Sequence, residues 1–152
     1  MLTIIRPVSE SASYGVKAVD WDSARESLRA VRRKVFVEEQ HVPEELEWDE
    51  EDARSRHVLA VAADGTPIGT GRLLPDGHIG RMAVLIAWRN RGVGSALMNL
   101  LLRMAGESGH SVVRLHAQTH AAGFYAKHGF EADGVEFMEA GIPHVLMMRA
   151  PR

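Results

Sequence analysis

Two short segments hold the residue types best suited to chemistry. The first is Arg89-Asn90-Arg91-Gly92-Val93-Gly94-Ser95-Ala96, between a strand-like apolar run and a run with helical spacing. Glycines at such a junction let the backbone turn sharply and approach a ligand closely. The first N–H groups of a helix lack intrahelical partners, and the helix dipole favours an anion there. Arg89 and Arg91 add fixed positive charge, so the segment suits a pyrophosphate. Glycines opening a helix also occur for structural reasons alone. No Gly-Lys-Ser/Thr follows, which sets aside a Walker loop. Two glycines after a hairpin meander do not make a dinucleotide fingerprint either. The second segment is Phe124-Tyr125-Ala126-Lys127-His128-Gly129-Phe130. A tyrosine hydroxyl, with a reference pKa of about 10, stays protonated at neutral pH and can donate to a departing anion. Three aromatics around a helix end are equally ordinary as core residues.

Other residues are weaker candidates. Glu38 and Glu39 close the first expected helix, a poor place for carboxylates beside the negative end of the dipole. His57 and His144 each open an expected strand, where a hydrogen-bonded structural role competes with a place in a cleft. Arg72 and Arg81 fall on adjacent expected strands. The eight histidines invite a metal, but no His-Glu-x-x-His occurs. His116 and His120 straddle a strand end and a helix start, so no metal site is expected.

These residues need elements to hold them. Residues 1–15, with Pro7, three serines and Gly15, read as a loose arm containing a short strand near Leu2–Ile5. One domain is expected over 16–152. Val16–Val19 reads as a strand, and Asp20 or Asp22 as the cap of a helix whose Ala24, Leu28, Val31 and Val35 share one face. The acidic stretch from Glu38 to Arg56 reads as a solvated loop with a helical turn. His57–Ala63 and Thr66–Leu74 flank Asp64-Gly65 as a hairpin, and His78–Ile86 follows as a third strand. Gly92–Gly106 is the clearest helix, with Val93, Leu97, Leu100, Leu101 and Met104 as its buried stripe. Ser111–Ala117 is a strand parallel to the one before that helix. A short helix runs to Lys127 and is capped by Gly129 in the left-handed conformation. Phe130–Asp133 and Pro143–Arg149 are the last strands. A strand–helix–strand unit among hairpins makes the sheet mixed.

At 152 residues the chain fits one domain with a real core. A net charge of −2 argues against nucleic acid or an anionic membrane as partner. The absence of cysteine excludes disulfides, thiolate nucleophiles and cysteine-based zinc sites, and fits a cytoplasmic protein. Met1–Arg6 is too short for a signal-peptide core, and no apolar run reaches the length of a membrane span.

Taken together, the two segments resemble the GNAT acetyltransferases. Arg89 to Gly94 matches the family's (Gln/Arg)-x-x-Gly-x-(Gly/Ala) signature, and Phe124 to Phe130 its Phe-Tyr-x-x-x-Gly-Phe segment. Val35-Phe36-Val37-Glu38-Glu39-Gln40, Ile79-Gly80-Arg81-Met82-Ala83-Val84, His116-Ala117-Gln118 and Gly141-Ile142-Pro143-His144 resemble the ElaA/YjcF-type branch. The likeness runs from about Val16 to Arg149.

It implies an α/β (α+β) GNAT acyl-CoA N-acyltransferase fold: a mixed, mostly antiparallel twisted sheet with helices on both faces. It implies an acetyl group moved from acetyl-CoA to a primary amine, a small molecule, by direct attack in a ternary complex. Met82, Ala83 and Val84 would offer backbone groups to the pantetheine. Arg89, Arg91, Gly92, Val93, Gly94 and Ser95 would hold the pyrophosphate, with Gln118 and Phe124 as further cofactor contacts. Tyr125 would protonate the CoA thiolate. Glu39, with His116, His57 or His144 as lesser candidates, would attract the ammonium and relay its proton through water. Glu38, Arg72, Arg81, His116 and His144 would stand on the acceptor side, with Arg72 and Arg81 pairing with Glu39 or binding an acidic part of the acceptor. A homodimer through apolar surface near Phe137 and Met138 is common among such relatives. The rival reading is a CoA-binding sensor or interaction module without turnover.

Overall fold

The computed structural model describes residues 13–152. The expected strand at Leu2–Ile5 lies outside them. Tyr14 and Gly15 do not belong to an arm: they begin β1 (Tyr14–Val19), which pairs antiparallel with β2 (Arg56–Ala62) from Tyr14↔Ala62 to Val19↔His57. The serines and proline just before them masked that strand in the sequence.

From β2 the chain meanders through β3 (Pro67–Leu73) and β4 (His78–Val84), crosses over, and returns in β5 (Val113–Gln118) parallel to β4. The remaining strands are β6 (Glu131–Ala132), β7 (Phe137–Glu139) and β8 (Ile142–Arg149). The sheet runs β1-β2-β3-β4-β5-β8-β6, with β7 also paired to β8. Except for β4 and β5, all the pairs are antiparallel. β7 went unforeseen because three residues between turns carry no readable period. Met138 within it and Val135 just before it stand exposed.

Helices cover both faces. α1 (Trp21–Arg32) starts at Asp20, whose Oδ1 accepts from the Ser23 N–H at 2.9 Å. Its Trp21 and Leu28 pack on Leu59 of β2. α4 (Val93–Glu107) packs on Val58 and Ala60 of the same strand, and so on the opposite face. Val93, Leu97, Leu101 and Met104 are buried as the helical period requires. Met98, Leu102 and Ala105 are buried too, while Leu100 is half-buried, because the twisted sheet wraps further round the helix than one stripe. α5 (Ala122–Lys127) follows a 3₁₀ turn at Thr119–Ala121, and Gly129 beyond it has φ +86.

The acidic stretch departs from expectation. It forms two single-turn helices, α2 (Glu44–Glu47) and α3 (Glu51–Arg54), and Glu47 and Asp52 are buried rather than solvated. The cause is Arg32, only 1% exposed. Its guanidinium sits 5.7 Å from the Trp21 ring and 5.3 Å from the Trp48 ring. It takes Glu47 at 2.9 Å and Asp52 at 2.8 Å. A buried charge requires such partners.

Candidate active site

β4 and β5 pair only at His78↔Arg114 and Ile79↔Leu115. Beyond Ile79 they splay, and among the described residues no strand lies along the outer edge of β4 from Gly80 to Val84. The opening is a cavity of about 1180 Å³. Met82, Ala83 and Val84 line it, as expected of a strand edge offered to an extended ligand. A bulge helps to open the edge. Thr70 and Arg72 of β3 face Ala83 and Gly80, so two residues of β4 oppose one of β3. Within it Arg81 adopts φ +53, and its carbonyl accepts from the Thr70 hydroxyl at 2.8 Å.

The glycine segment stands at one end of the cavity. Gly92 precedes α4 with φ +85, where a side chain is strained. The first intrahelical bond runs from Ala96 N–H to Gly92 C=O at 3.0 Å, so the Val93, Gly94 and Ser95 N–H groups start the helix free of intrahelical partners. A Cβ on Gly94 would meet the Phe124 ring at 3.3 Å. The chain therefore fits a diphosphate: bare backbone, uncommitted donors and the positive end of a long helix. Gly92, Gly94 and Ser95 line the cavity, whereas the Val93 side chain is buried in the core as the anchor of the helix start. Ser95 Oγ lies 3.0 Å from His128 Nε2, tying the start of α4 to the end of α5. Burial, with Arg149 nearby, holds His128 below its ordinary pKa.

The two arginines of the segment part company. Arg91 is exposed and stacks 5.0 Å over Trp88, outside the cavity lining. Arg89 lines the cavity, but its Nε donates to the Val84 carbonyl at 2.8 Å and its two Nη atoms to Glu39 at 2.8 and 2.7 Å. Glu39 reaches this position because α1 continues as a π-helix over Arg33–Glu39, ending with Gln40 N–H on the Val35 carbonyl. The hydrogen bonds from Arg89 hold the Glu39 carboxyl below its ordinary range.

Arg72 and Arg81 do not pair with Glu39; that expectation is corrected. Arg72 Nη1 lies 2.8 Å from Asp49 and 3.0 Å from Asp52. Arg81 lies 2.9 Å from Glu47 and 3.1 Å from Asp49. Both line the cavity wall, but their charge belongs to the network around Arg32. Glu38 is exposed and outside the lining. His57 is also outside it, buried, with Nε2 donating to the Asp52 carbonyl at 2.8 Å.

Gln118 ends β5 and pairs head to head with Gln40 across the cavity at 2.8 and 3.2 Å. His120 Nε2 adds a third contact to it at 2.7 Å. Phe124 packs against the glycine helix start and lines the cavity with Tyr125. The Tyr125 ring meets Phe124 and Phe130 edge-on. Its hydroxyl has no hydrogen-bond partner among the described residues, and burial pushes its pKa up to about 12. His116 and His144 line the end of the cavity beside the start of β4, together with His78 and Glu139.

Several cavity residues carried no usable signal in the sequence: Gln40, His78, Trp88 and Glu139. Tyr14, placed by sequence in the arm, packs edge-on against Trp88 with ring centroids 6.2 Å apart and brings its hydroxyl beside Gly92. Among the described residues no group of three His, Asp or Glu side chains is placed to hold a metal ion. No helix among them is long and apolar enough to cross a membrane.

Comparison with known proteins agrees with this geometry. The acetyltransferase (GNAT) domain family matches residues 13–150. YjcF of Bacillus subtilis, described as an uncharacterized N-acetyltransferase, is 44% identical over 124 residues, covering 78% of this chain and 87% of YjcF. The solved acyl-CoA N-acyltransferase from Pseudomonas aeruginosa superposes with a TM-score of 0.81 at 31% identity, covering 91% of this chain and 100% of that one. Escherichia coli ElaA superposes at 0.79 with 30% identity, covering 89% and 99%. The splayed strands and the glycine helix start thus stand in a known frame: the chain belongs to the GNAT acetyltransferase family, on its ElaA/YjcF-like branch, and has the acyl-CoA N-acyltransferase fold.

Proposed function

We propose that this chain is an N-acetyltransferase that moves an acetyl group from acetyl-CoA to a primary amine by direct attack within a ternary complex. One observation carries this: the glycine start of α4, the open edge of β4 and the protonated Tyr125 converge on a single cavity. The helix start suits the pyrophosphate, with Gly92, Gly94 and Ser95 facing it. Val84 and its neighbours suit the pantetheine, and a backbone N–H there suits polarisation of the thioester carbonyl. Tyr125 suits protonation of the thiolate as it leaves. Arg89 serves this arrangement from behind: it pins the end of β4 through the Val84 carbonyl, and Glu39 fixes Arg89. We therefore read Glu39 as a positioning residue, since both its oxygens are engaged and its pKa is lowered.

Thiol release from acetyl-CoA in the presence of primary amines tests turnover. Calorimetric titration with acetyl-CoA tests the loop. Gly94→Glu places bulk against Phe124 and a negative charge in the cradle. It is expected to cost at least about tenfold in affinity, about 1.4 kcal/mol. Unchanged affinity in a folded Gly94→Glu variant overturns the assignment. Tight acetyl-CoA binding without thiol release with any amine would leave a binding module instead.

A further inference from the structure

The end of the cavity beside the start of β4 gathers three histidines from three strands. Each has a ring nitrogen against a group that only accepts. His116 Nδ1 lies 2.8 Å from Glu139 Oε1, His144 Nδ1 lies 2.7 Å from the Ile142 carbonyl, and His78 Nδ1 lies 3.0 Å from Asp76 Oδ1. A carbonyl or carboxylate cannot donate, so each Nδ1 carries the proton, and in the neutral ring each Nε2 is left as an acceptor. Glu139 Oε2 stands 3.9 Å from His144 Nε2. The rings brace one another: His78 edge-on to His116, His116 edge-on to Phe137, and Phe137 stacked on His144. His78, His116, Glu139 and His144 all line the cavity. Of the cations that line the cavity, Arg72 and Arg81 are already matched by Asp49, Asp52 and Glu47, and Arg89 by Glu39. What remains is a surface of hydrogen-bond acceptors around one carboxylate, Glu139, whose partners among the described residues are histidines and not an arginine or lysine, the complement of an ammonium group with its three donors.

We propose that this end of the cavity receives the acceptor as an ammonium ion and that the His116–Glu139 pair removes its proton. The proposal rests on the acyl-transfer reading above and supplies the base which that reading lacks. His116 is the member suited to the task. Its side chain is 41% exposed, so Nε2 is reachable, while Glu139 holds the ring proton on Nδ1. His144 is nearly buried, and His120 is bonded to Gln118. The ammonium gives one proton to His116 Nε2. The freed nitrogen lone pair forms the C–N bond to the thioester carbonyl, and the C–S bond breaks with its electron pair on sulfur. The nitrogen sheds a second proton as the amide forms, sulfur takes one through Tyr125, and one proton leaves for water.

The test compares two nucleophiles in thiol release from acetyl-CoA over a pH series. Propylamine and benzylamine enter as cations and need a base; hydroxylamine is a weak base and enters neutral. In His116→Gln the alkylamine rate is expected to fall at least tenfold more than the hydroxylamine rate, and the acid limb of its pH profile to flatten. In Glu139→Ala, nitrogen NMR of the His116 ring is expected to show the proton spread over both nitrogens instead of held on Nδ1. Equal loss with both nucleophiles, an unchanged alkylamine rate in His116→Gln, or an unmoved proton in Glu139→Ala overturns the proposal while the wild type stays active. A wild type that releases no thiol with either nucleophile overturns the acyl-transfer reading itself, and this proposal with it.

Discussion

Tyr125 owes its suitability to its surroundings more than to its chemistry. A phenol in water ionises at about 10; here burial lifts it to about 12, so the proton stays on oxygen across the working range. No deprotonation of this group is therefore expected to limit turnover below about pH 10, because the phenolate is the disfavoured form in the fold. Tyr125→Phe keeps the ring contacts with Phe124 and Phe130 and removes only the donor. Steady-state kinetics are expected to show kcat at least about tenfold lower, with acetyl-CoA affinity nearly unchanged by titration. The loss stays near the low end of general-acid effects because water reaches an open cavity and replaces part of the donation. Wild-type turnover in Tyr125→Phe would return the residue to the aromatic core.

At the scale of elements, the π-helical end of α1 does two jobs. It carries Glu39 to Arg89 and Gln40 to Gln118, and so closes both sides of the splay between β4 and β5. The Glu39–Arg89 pair is about a third exposed on each side, which limits its strength. Glu39→Gln is expected to loosen Arg89 from the Val84 carbonyl and weaken acetyl-CoA binding by about fivefold or less, the worth of one partly screened ion pair. Turnover at saturation should stay within about threefold, with an unaltered pH profile. A fall in kcat beyond about a hundredfold at constant acetyl-CoA affinity would make Glu39 the base after all.

Across the whole molecule, the buried Arg32 links α1, the acidic segment and the middle of the sheet. Burial disfavours the Asp52 carboxylate, yet hydrogen bonds and charges from Arg32 and Arg72 outweigh it and hold Asp52 below the usual range. Burial lifts Glu47 above that range in spite of Arg81 and Arg32. The network thus depends on its central cation. Arg32→Met keeps an apolar stem between Trp21 and Trp48 but takes the most buried cation from two buried carboxylates, leaving Asp52 to Arg72 and Glu47 to Arg81. Urea unfolding is expected to show a loss of about 3–5 kcal/mol, the usual consequence of removing one partner of a buried pair. Because Arg72 and Arg81 hang from the same acids, the cavity wall should loosen with it. A loss below about 1 kcal/mol would mean that the network contributes little beyond packing.

What the sequence by itself determined was local. The periods of α4 and β2–β5, the cap at Asp20 and the left-handed Gly129 follow from spacing and residue type, which act within a few positions of the chain. The glycine helix start and the Phe-Tyr segment were legible for the same reason, and together they led to the family. Tertiary structure decided which charges meet. In the sequence Arg72 and Arg81 read as acceptor-side residues, Arg32 draws no notice, and Glu47 and Asp52 belong to a solvated run. Only the packing of α2 and α3 against α1 and the β3–β4 bulge buries them as one group. Glu39 could be placed near the cavity from sequence but not matched to Arg89, because the two residues are 50 positions apart in the chain. Glu139 lies in a three-residue strand with no period, and its partner His116 is on β5. Ion pairs and histidine tautomers are set by distances between segments far apart in the chain, and a linear pattern carries no such distances.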